Sequence, residues 1–481
     1  MASGSSSVCR PHVLMLPFPE TGHINPLMDL AKYLSSCHGF LITFVNTLYN
    51  HKRILRANVG HLPSDHGLDI RMVGIPDGLS EVENRDNDVA DFVKVIENVG
   101  AVLDELIRNI ASECPHPVTC IISDVTAVKT IDVAQKFGIP RVAFWPPNAS
   151  THSLICHARH AASVGEFAAE DFLEKDEVVS FPGLPPMRGR HLPWAVGTKQ
   201  EAQSIFKSVC RNVEALRHSE WVLCNSVYEL EPTIQSLLPS GYSKVCPIGP
   251  ILHADLLQKR ITRENQTTTG LWTEQNECLD WLDHQSPCTV LYVSMGSIVL
   301  FVKQQLLELA LGLEASGVRI LWVLRADTCS PDCFPDGYIE RNAKKMKIVQ
   351  WCPQVSVLSH KAVGGFLTHC GWNSTLEAMA MGIPMLAWPH LADQFLNSSL
   401  IVDEWGVGIH LGEGFVRGET VEAKVKELMS QESPVRGKAL QLKQVITRAS
   451  IEGGSSFTNL VKFVEWLKMN CESFISIARK E

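Results

Sequence analysis

The densest chemistry in the 481-residue chain lies in residues 351–394, WCPQVSVLSHKAVGGFLTHCGWNSTLEAMAMGIPMLAWPHLADQ. Within that run His369, Trp372, Asn373, Ser374 and Glu377 crowd a single turn. The turn must be set by its neighbours. Residues 363–369 are apolar enough for a strand covered on both faces, and residues 385–389 form a second such run. Between them Cys370-Gly371 opens a helix that Gly382-Ile383-Pro384 closes. Gly371, Asn373 and Ser374 then sit at a helix N-terminus, where free N–H groups and the positive end of the dipole attract an anion such as phosphate. The same residues admit a purely structural account, because Ser374-Thr375-Leu376-Glu377 fits a capping box. Five polar or aromatic groups at one strand end exceed what one cap requires, and strand ends of open α/β sheets are where ligands bind.

A second constellation lies near the start. Residues 12–18 (HVLMLPF) predict a buried strand, residues 19–25 a loop, and residues 26–35 a helix with Pro26 in its first turn. His23 therefore falls between strand and helix. A helix N-terminus disfavours imidazolium, so a neutral ring able to act as a base is expected. Asp124 closes the strand CIISD on the same sheet edge. On its position alone it reads as the cap of a helix over residues 126–137. In the second half, residues 289–295 (TVLYVSM) predict a strand ending in Gly296-Ser297, followed by a helix over residues 303–316. Ser297 can serve as a phosphate contact or as a plain helix-entry serine.

The β/α alternation in both halves implies parallel sheets. Strands are expected at residues 40–45, 71–75, 120–123, 141–145, 319–324, 347–350 and 408–411. Residues 80–100 and 150–215 carry no clear pattern. A hydrophobic share of 45% suits two sizeable cores, and a net charge of −9 argues against a nucleic-acid partner. The fifteen cysteines are scattered without a disulfide framework, and Cys329 and Cys333 lack the second pair a zinc site needs. Free thiols, no signal peptide and no run near the ~20 apolar residues of a membrane helix lead to the expectation of a cytoplasmic protein. Asp86-Asn87-Asp88 has the form of a manganese-binding triplet, but it lies in a polar run with no leading strand and reads as a solvated loop.

From residue 351 to Asp393-Gln394 the run resembles the signature box of the plant secondary-product UDP-glycosyltransferases: tryptophan first, Pro-Gln third and fourth, HCGWNSTLE in the middle and WP…DQ at the end. The resemblance implies a GT-B fold of two facing Rossmann-like, doubly wound domains. Their expected limits are 1–250 for the acceptor domain, 251–275 for a linker, 276–456 for the donor domain and 457–481 for a helix returning to the first domain. It implies that Trp351 stacks on uracil, that the backbone of Cys352 (usually alanine in the family) bonds the uracil edge, and that Gln354 and Glu377 hold the ribose. His369, Asn373, Ser374 and Ser297, with the Gly371 turn, would take the diphosphate, and Trp372, Asp393 and Gln394 the sugar. GHINP is where the family carries its catalytic histidine, here His23, which Asp124 would orient. The implied reaction is an inverting transfer of glucose from UDP-glucose to a small hydroxylated acceptor, or to a carboxyl, without a metal or other cofactor and by a monomer. In the family a glutamine at the end of the box, here Gln394, tends to go with glucose and a histidine with galactose, so the resemblance implies glucose. Two other readings are a sugar-nucleotide binder that has lost its chemistry and a dinucleotide-dependent oxidoreductase. The second needs a G-x-G-x-x-G turn, which neither PETGHINP nor MGSIVLF supplies.

Overall fold

The computed structural model describes residues 10–58, 62–78, 89–166, 177–251, 274–297, 299, 301–325 and 334–478. The expectations for Asp86-Asn87-Asp88, for Cys329 and Cys333 and for most of the linker fall outside these residues.

Seven strands form the first sheet: β1 (His12–Leu16), β2 (Leu41–Thr47), β3 (Ile70–Ile75), β4 (Cys120–Asp124), β5 (Arg141–Trp145), β8 (Trp221–Cys224) and β9 (Cys246–Pro247). Their order is β3-β2-β1-β4-β5-β8-β9, parallel throughout, while β6 (Val178–Val179) and β7 (Met187–Arg188) make a separate antiparallel pair. β1, β4 and β5 are buried along their whole length because helices cover both faces, which explains their unbroken apolar runs. The second sheet has the order β12-β11-β10-β13-β14-β15, from Met346–Val349, Arg319–Val323, Val290–Ser294, Val363–Thr368, Met385–Ala387 and Gly408–His410. It too is parallel. The chain is thus two doubly wound α/β domains.

Strand order determines where chemistry can sit. In the first sheet the winding reverses between β1 and β4, with Leu16 beside Ser123. In the second it reverses between β10 and β13, with Ser294 beside Thr368. A crevice opens at the carboxyl ends of strands at such switch points. His23 and Asp124 follow β1 and end β4, while Ser297 and His369 follow β10 and β13.

Several elements differ from the sequence expectations for identifiable reasons. The first helix begins at Thr21 and runs to His38, so Pro26 lies inside it and His23 in its first turn. Residues 126–129 form turns, and the helix there covers only Thr130–Lys136. The helix of the signature run spans Trp372–Met381 with Gly371 as its N-cap, and no side chain caps it. Ser374 is two positions inside the first helical residue, too far in to cap, so the capping box does not form. The unpatterned residues 150–215 contain helices Ala149–Ser163 and Lys199–Ala215. The terminal helix, Ser455–Ala478, packs Phe463, Val464 and Leu467 against the first sheet's core beside Val13, Ile42 and Leu223, and Asn459 donates to the Pro247 carbonyl at 2.8 Å. Among the described residues no helix is long and apolar enough to cross a membrane, and the twelve described cysteines are free.

Candidate active site

His23 and Asp124 meet across the first switch point, Nδ1 to Oδ2, at 2.6 Å. The Asp124 side chain is fully buried, whereas the imidazole keeps 27% of its side-chain surface open, so the carboxylate supports a ring that a substrate can reach. Asp124 does not cap the following helix, which starts only at Thr130; it holds a turn and His23 instead. Its Oδ1 accepts from the Thr126 amide (2.9 Å) and hydroxyl (2.7 Å), closing the turn after β4, and its Oδ2 is left for histidine. Burial would raise the Asp124 pKa, but His23 and the Thr126 donors outweigh it and hold the carboxyl below its usual value. The helix end is not what dominates at His23. Burial pushes its pKa down, but Asp124, joined by Glu20 and Asp393, lifts it above the ordinary histidine value. A nearby full charge outweighs the partial charge of a helix end.

Across the cleft, the uncapped Trp372–Met381 helix leaves its first amides without side-chain acceptors. His369 stands beside them at the end of β13, half-buried, and among the described residues its Nδ1 has no hydrogen-bond partner. Burial, with His390 and Arg325 nearby, depresses the His369 pKa to about 3, which leaves a neutral ring. Gly296 and Gly371 form its cradle: a Cβ added to either would sit 2.5 or 2.4 Å from His369 Nε2, inside contact distance. Ser297 is half-buried in the adjoining turn. Arg325, buried at the end of β11, donates to the Gly296 carbonyl at 3.1 Å.

Gln354 organises the next part of the site. Its Nε2 donates to Ser374 Oγ (3.0 Å) and Glu377 Oε2 (2.8 Å), and its Oε1 accepts from the Tyr292 hydroxyl at 3.1 Å. Burial raises the Glu377 pKa to about 7, partly offset by Gln354. Trp351 is half-buried and Cys352 buried, with the Cys352 thiol 3.4 Å from the Tyr292 hydroxyl. Gln394 Oε1 accepts from the amides of His390 (3.0 Å) and Leu391 (3.2 Å), which fixes the plane of its side-chain amide. Asp393 is half-buried and close enough to His23 for each to shift the other's titration.

The two domains meet at this site. Asn373 Nδ2 donates to the Gly22 carbonyl at 2.7 Å, and its Oδ1 accepts from Asn225 Nδ2 at 3.3 Å. The Trp372 indole donates to the Asn225 carbonyl at 2.6 Å. That bond uses the only donor of the Trp372 side chain, so in this conformation the indole has none left for a ligand. Tyr292, Arg325, His390, Asn225, Asn148 and Asn397 were not found from the sequence. Arg325, His390, Asn225 and Asn148 carried only the signal of lying just after a strand, while Tyr292 in mid-strand and Asn397 inside a helix carried none.

Residues 275–446 match the family model described as "UDP-glucoronosyl and UDP-glucosyl transferase". UDP-glycosyltransferase 85A7 of Arabidopsis thaliana is 38% identical over 94% of this chain and 95% of its own. The chain belongs to the UDP-glycosyltransferase family. A 7-deoxyloganetin glucosyltransferase of Catharanthus roseus is 34% identical, over 97% of this chain and 98% of its own. Among solved structures, a UDP-glucosyltransferase from Polygonum tinctorium capable of glucosylating indoxyl superposes with a TM-score of 0.80 at 28% identity, covering 96% of this chain and all of the other. A Phytolacca americana relative, solved with UDP-2-fluoro-glucose and pterostilbene, gives 0.77 at 25% identity, over 95% of this chain and all of its own. The UDP-glycosyltransferase fold is the GT-B arrangement of two facing domains described above, and this chain is an enzyme of that family.

Proposed function

We propose that this UDP-glycosyltransferase transfers glucose from UDP-glucose, with inversion and without a metal, to a hydroxyl of a small lipophilic acceptor, giving a β-glucoside. The observation that carries the reading is the His23–Asp124 pair facing, across the Gly22–Asn373 contact, a helix N-terminus with no side-chain cap. Asp124 engages Nδ1, so Nε2 is the nitrogen that takes the acceptor's proton as its oxygen bonds to the anomeric carbon. The bond from that carbon to the β-phosphate oxygen breaks, and its electron pair leaves with UDP. Attack from the His23 side and departure on the opposite face inverts the centre. Asp124 balances the charge His23 acquires.

The growing charge on UDP is met by the amides of the Trp372–Met381 helix, with Ser297 and His369 as further donors. Because His369 is held neutral, it can still donate one N–H without repelling the protonated base. Gln354 and Glu377 suit the ribose diol, one donor beside one acceptor. Asp393 and Gln394 suit sugar hydroxyls, and the glutamine favours glucose. Hydroxyl-bearing acceptors are supported by the relatives named for 7-deoxyloganetin and indoxyl and by the pterostilbene complex.

The test is UDP release from UDP-glucose in EDTA over a panel of phenols, terpenoid alcohols and carboxylic acids, with His23→Ala in parallel. Acceptor-dependent turnover that the substitution abolishes is expected, with a β-anomeric product by NMR. Turnover that needs a divalent cation, an α-anomer, or full activity in His23→Ala would overturn the mechanism.

A further inference from the structure

Asn397 and Asn148 are fully buried, and neither belongs to the signature run. Asn397 lies in the short Gln394–Ser399 helix of the second domain, and Asn148 is the N-cap of Ala149–Ser163 in the first. Their side chains meet across the interface, Asn148 Nδ2 donating to Asn397 Oδ1 at 2.8 Å. Asn397 then spends both its donor hydrogens within its own domain, on the Cys370 carbonyl at 2.9 Å and Asp393 Oδ2 at 3.0 Å.

Only one arrangement of the two amides satisfies every group. Asn148 Oδ1 is committed to the Thr151 amide at 2.7 Å as the helix cap, so its Nδ2 must face Asn397. Asn397 must then present its oxygen to Asn148 and its NH2 to Cys370 and Asp393. Reversing it would set an oxygen against a carbonyl and a carboxylate in a buried space. The helix start that sets this orientation is itself firmly held. The buried carboxylate of Glu231 accepts from the Ala149 amide (3.0 Å), the Ser150 amide (2.7 Å) and the Ser226 hydroxyl (2.6 Å). Cys370, whose carbonyl Asn397 binds, has φ of 67°, a left-handed conformation that a non-glycine residue keeps only under constraint.

We propose that Asn397 is a positioning residue for the donor sugar: held by Asn148 from the opposite domain, it fixes the Asp393 carboxylate, so recognition of the hexose depends on the two domains being in contact. This rests on the assignment of Asp393 to the sugar made above. UDP itself is assigned to the Gln354, Glu377, His369 and helix-amide groups, none of which bonds to the Asn148 or Asn397 side chain, so the prediction separates sugar from nucleotide.

Asn148→Asp tests it, because aspartate still caps the helix but offers Asn397 only acceptors. The Asn397 amide turns its NH2 toward the new carboxylate, and Asp393 loses its donor. Asn148→Gly removes the bridge while remaining an acceptable cap, and serves if the first variant does not fold. The expected result is a KM for UDP-glucose raised about tenfold or more in Asn148→Asp and less in Asn148→Gly. The kcat/KM preference for UDP-glucose over UDP-galactose should fall in both, with the calorimetric Kd for UDP within about twofold of wild type. An unchanged sugar preference, or UDP affinity weakened in parallel with UDP-glucose, would overturn the proposal and leave a merely structural bridge. If the wild type itself does not bind UDP-glucose, the donor-site reading fails and this inference with it; a wild type that binds while the variants keep their sugar preference sinks this inference alone.

Discussion

Asp124→Asn removes one charge and almost no volume, and the structure says which way the new amide will face. Two donors, the Thr126 amide and hydroxyl, point at Oδ1 at 2.9 and 2.7 Å. They require an acceptor, so the asparagine oxygen takes that side and its NH2 takes the place of Oδ2, 2.6 Å from His23 Nδ1. His23 Nδ1 must then accept, which moves the ring proton to Nε2, the nitrogen that should remove the acceptor's proton. The loss of charge adds to the wrong tautomer. Opposite unit charges about 4 Å apart are worth roughly 4 kcal/mol at an effective dielectric of 20, so the protonated transition state loses most of its counter-charge. Together these predict a fall in kcat of about a thousandfold to ten-thousandfold, the range seen when a triad aspartate elsewhere is made an amide. The assay is steady-state UDP release at saturating UDP-glucose, with donor affinity measured by calorimetry to show that binding survives. A kcat within tenfold of wild type would refute the tautomer argument and the assignment of Nε2 as the base.

The raised His23 pKa makes a pH prediction: the base is protonated, and inactive, up to a higher pH than an ordinary histidine, so kcat/KM should fall on acidification with an apparent pKa above 6.5. A limb at or below that value would contradict the carboxylate environment described. Gly371→Ala brings a methyl to 2.4 Å from His369 Nε2, and UDP affinity should fall by roughly tenfold or more, read by calorimetry; unchanged affinity would show that the cradle is not needed. Gln354→Ala should raise the KM for UDP-glucose by about ten- to a hundredfold, and Tyr292→Phe, which removes only the hydroxyl holding Gln354, by a few-fold, with kcat little changed in both. A Tyr292→Phe effect as large as that of Gln354→Ala would refute this order.

The sequence showed best what repeats or what must be buried on both faces. The runs HVLML, CIISD and VGGFLT are continuous because parallel strands are covered twice, and they placed the two switch points and hence His23, Asp124 and His369. WVLC at β8 was missed because four residues beside charged neighbours carry no period. Helix starts were also misplaced. Pro26 drew the first helix's start five residues too late, and Ser374-x-x-Glu377 imitated a cap that Gly371 pre-empts. The residues least visible were the asparagines at the domain interface. Their partners lie 148, 147 and 249 positions away for Asn225–Asn373, Trp372–Asn225 and Asn148–Asn397, and no local pattern encodes such pairs.

Pro26 shows how a feature that misleads a secondary-structure reading can still have a role in the site. Inside a helix a proline has no N–H for the carbonyl four residues earlier, and that carbonyl belongs to Gly22. In an ordinary helix this loss only destabilises. Here the unpaired oxygen is at the cleft, one residue before His23, and Asn373 from the opposite domain donates to it at 2.7 Å. The acceptor that joins the base's helix to the donor-site helix is therefore available because of the proline. Asn373 in turn lies in the first turn of the helix to which the proposed function assigns the diphosphate, so on that reading contact between the domains sets the base and the leaving-group site relative to each other. The same logic holds for Asn397, which joins Asp393 to the cap of a first-domain helix. In both places a side-chain amide bonds across to the other domain. On the proposed function, domain contact is then a condition for a complete donor site rather than a consequence of one.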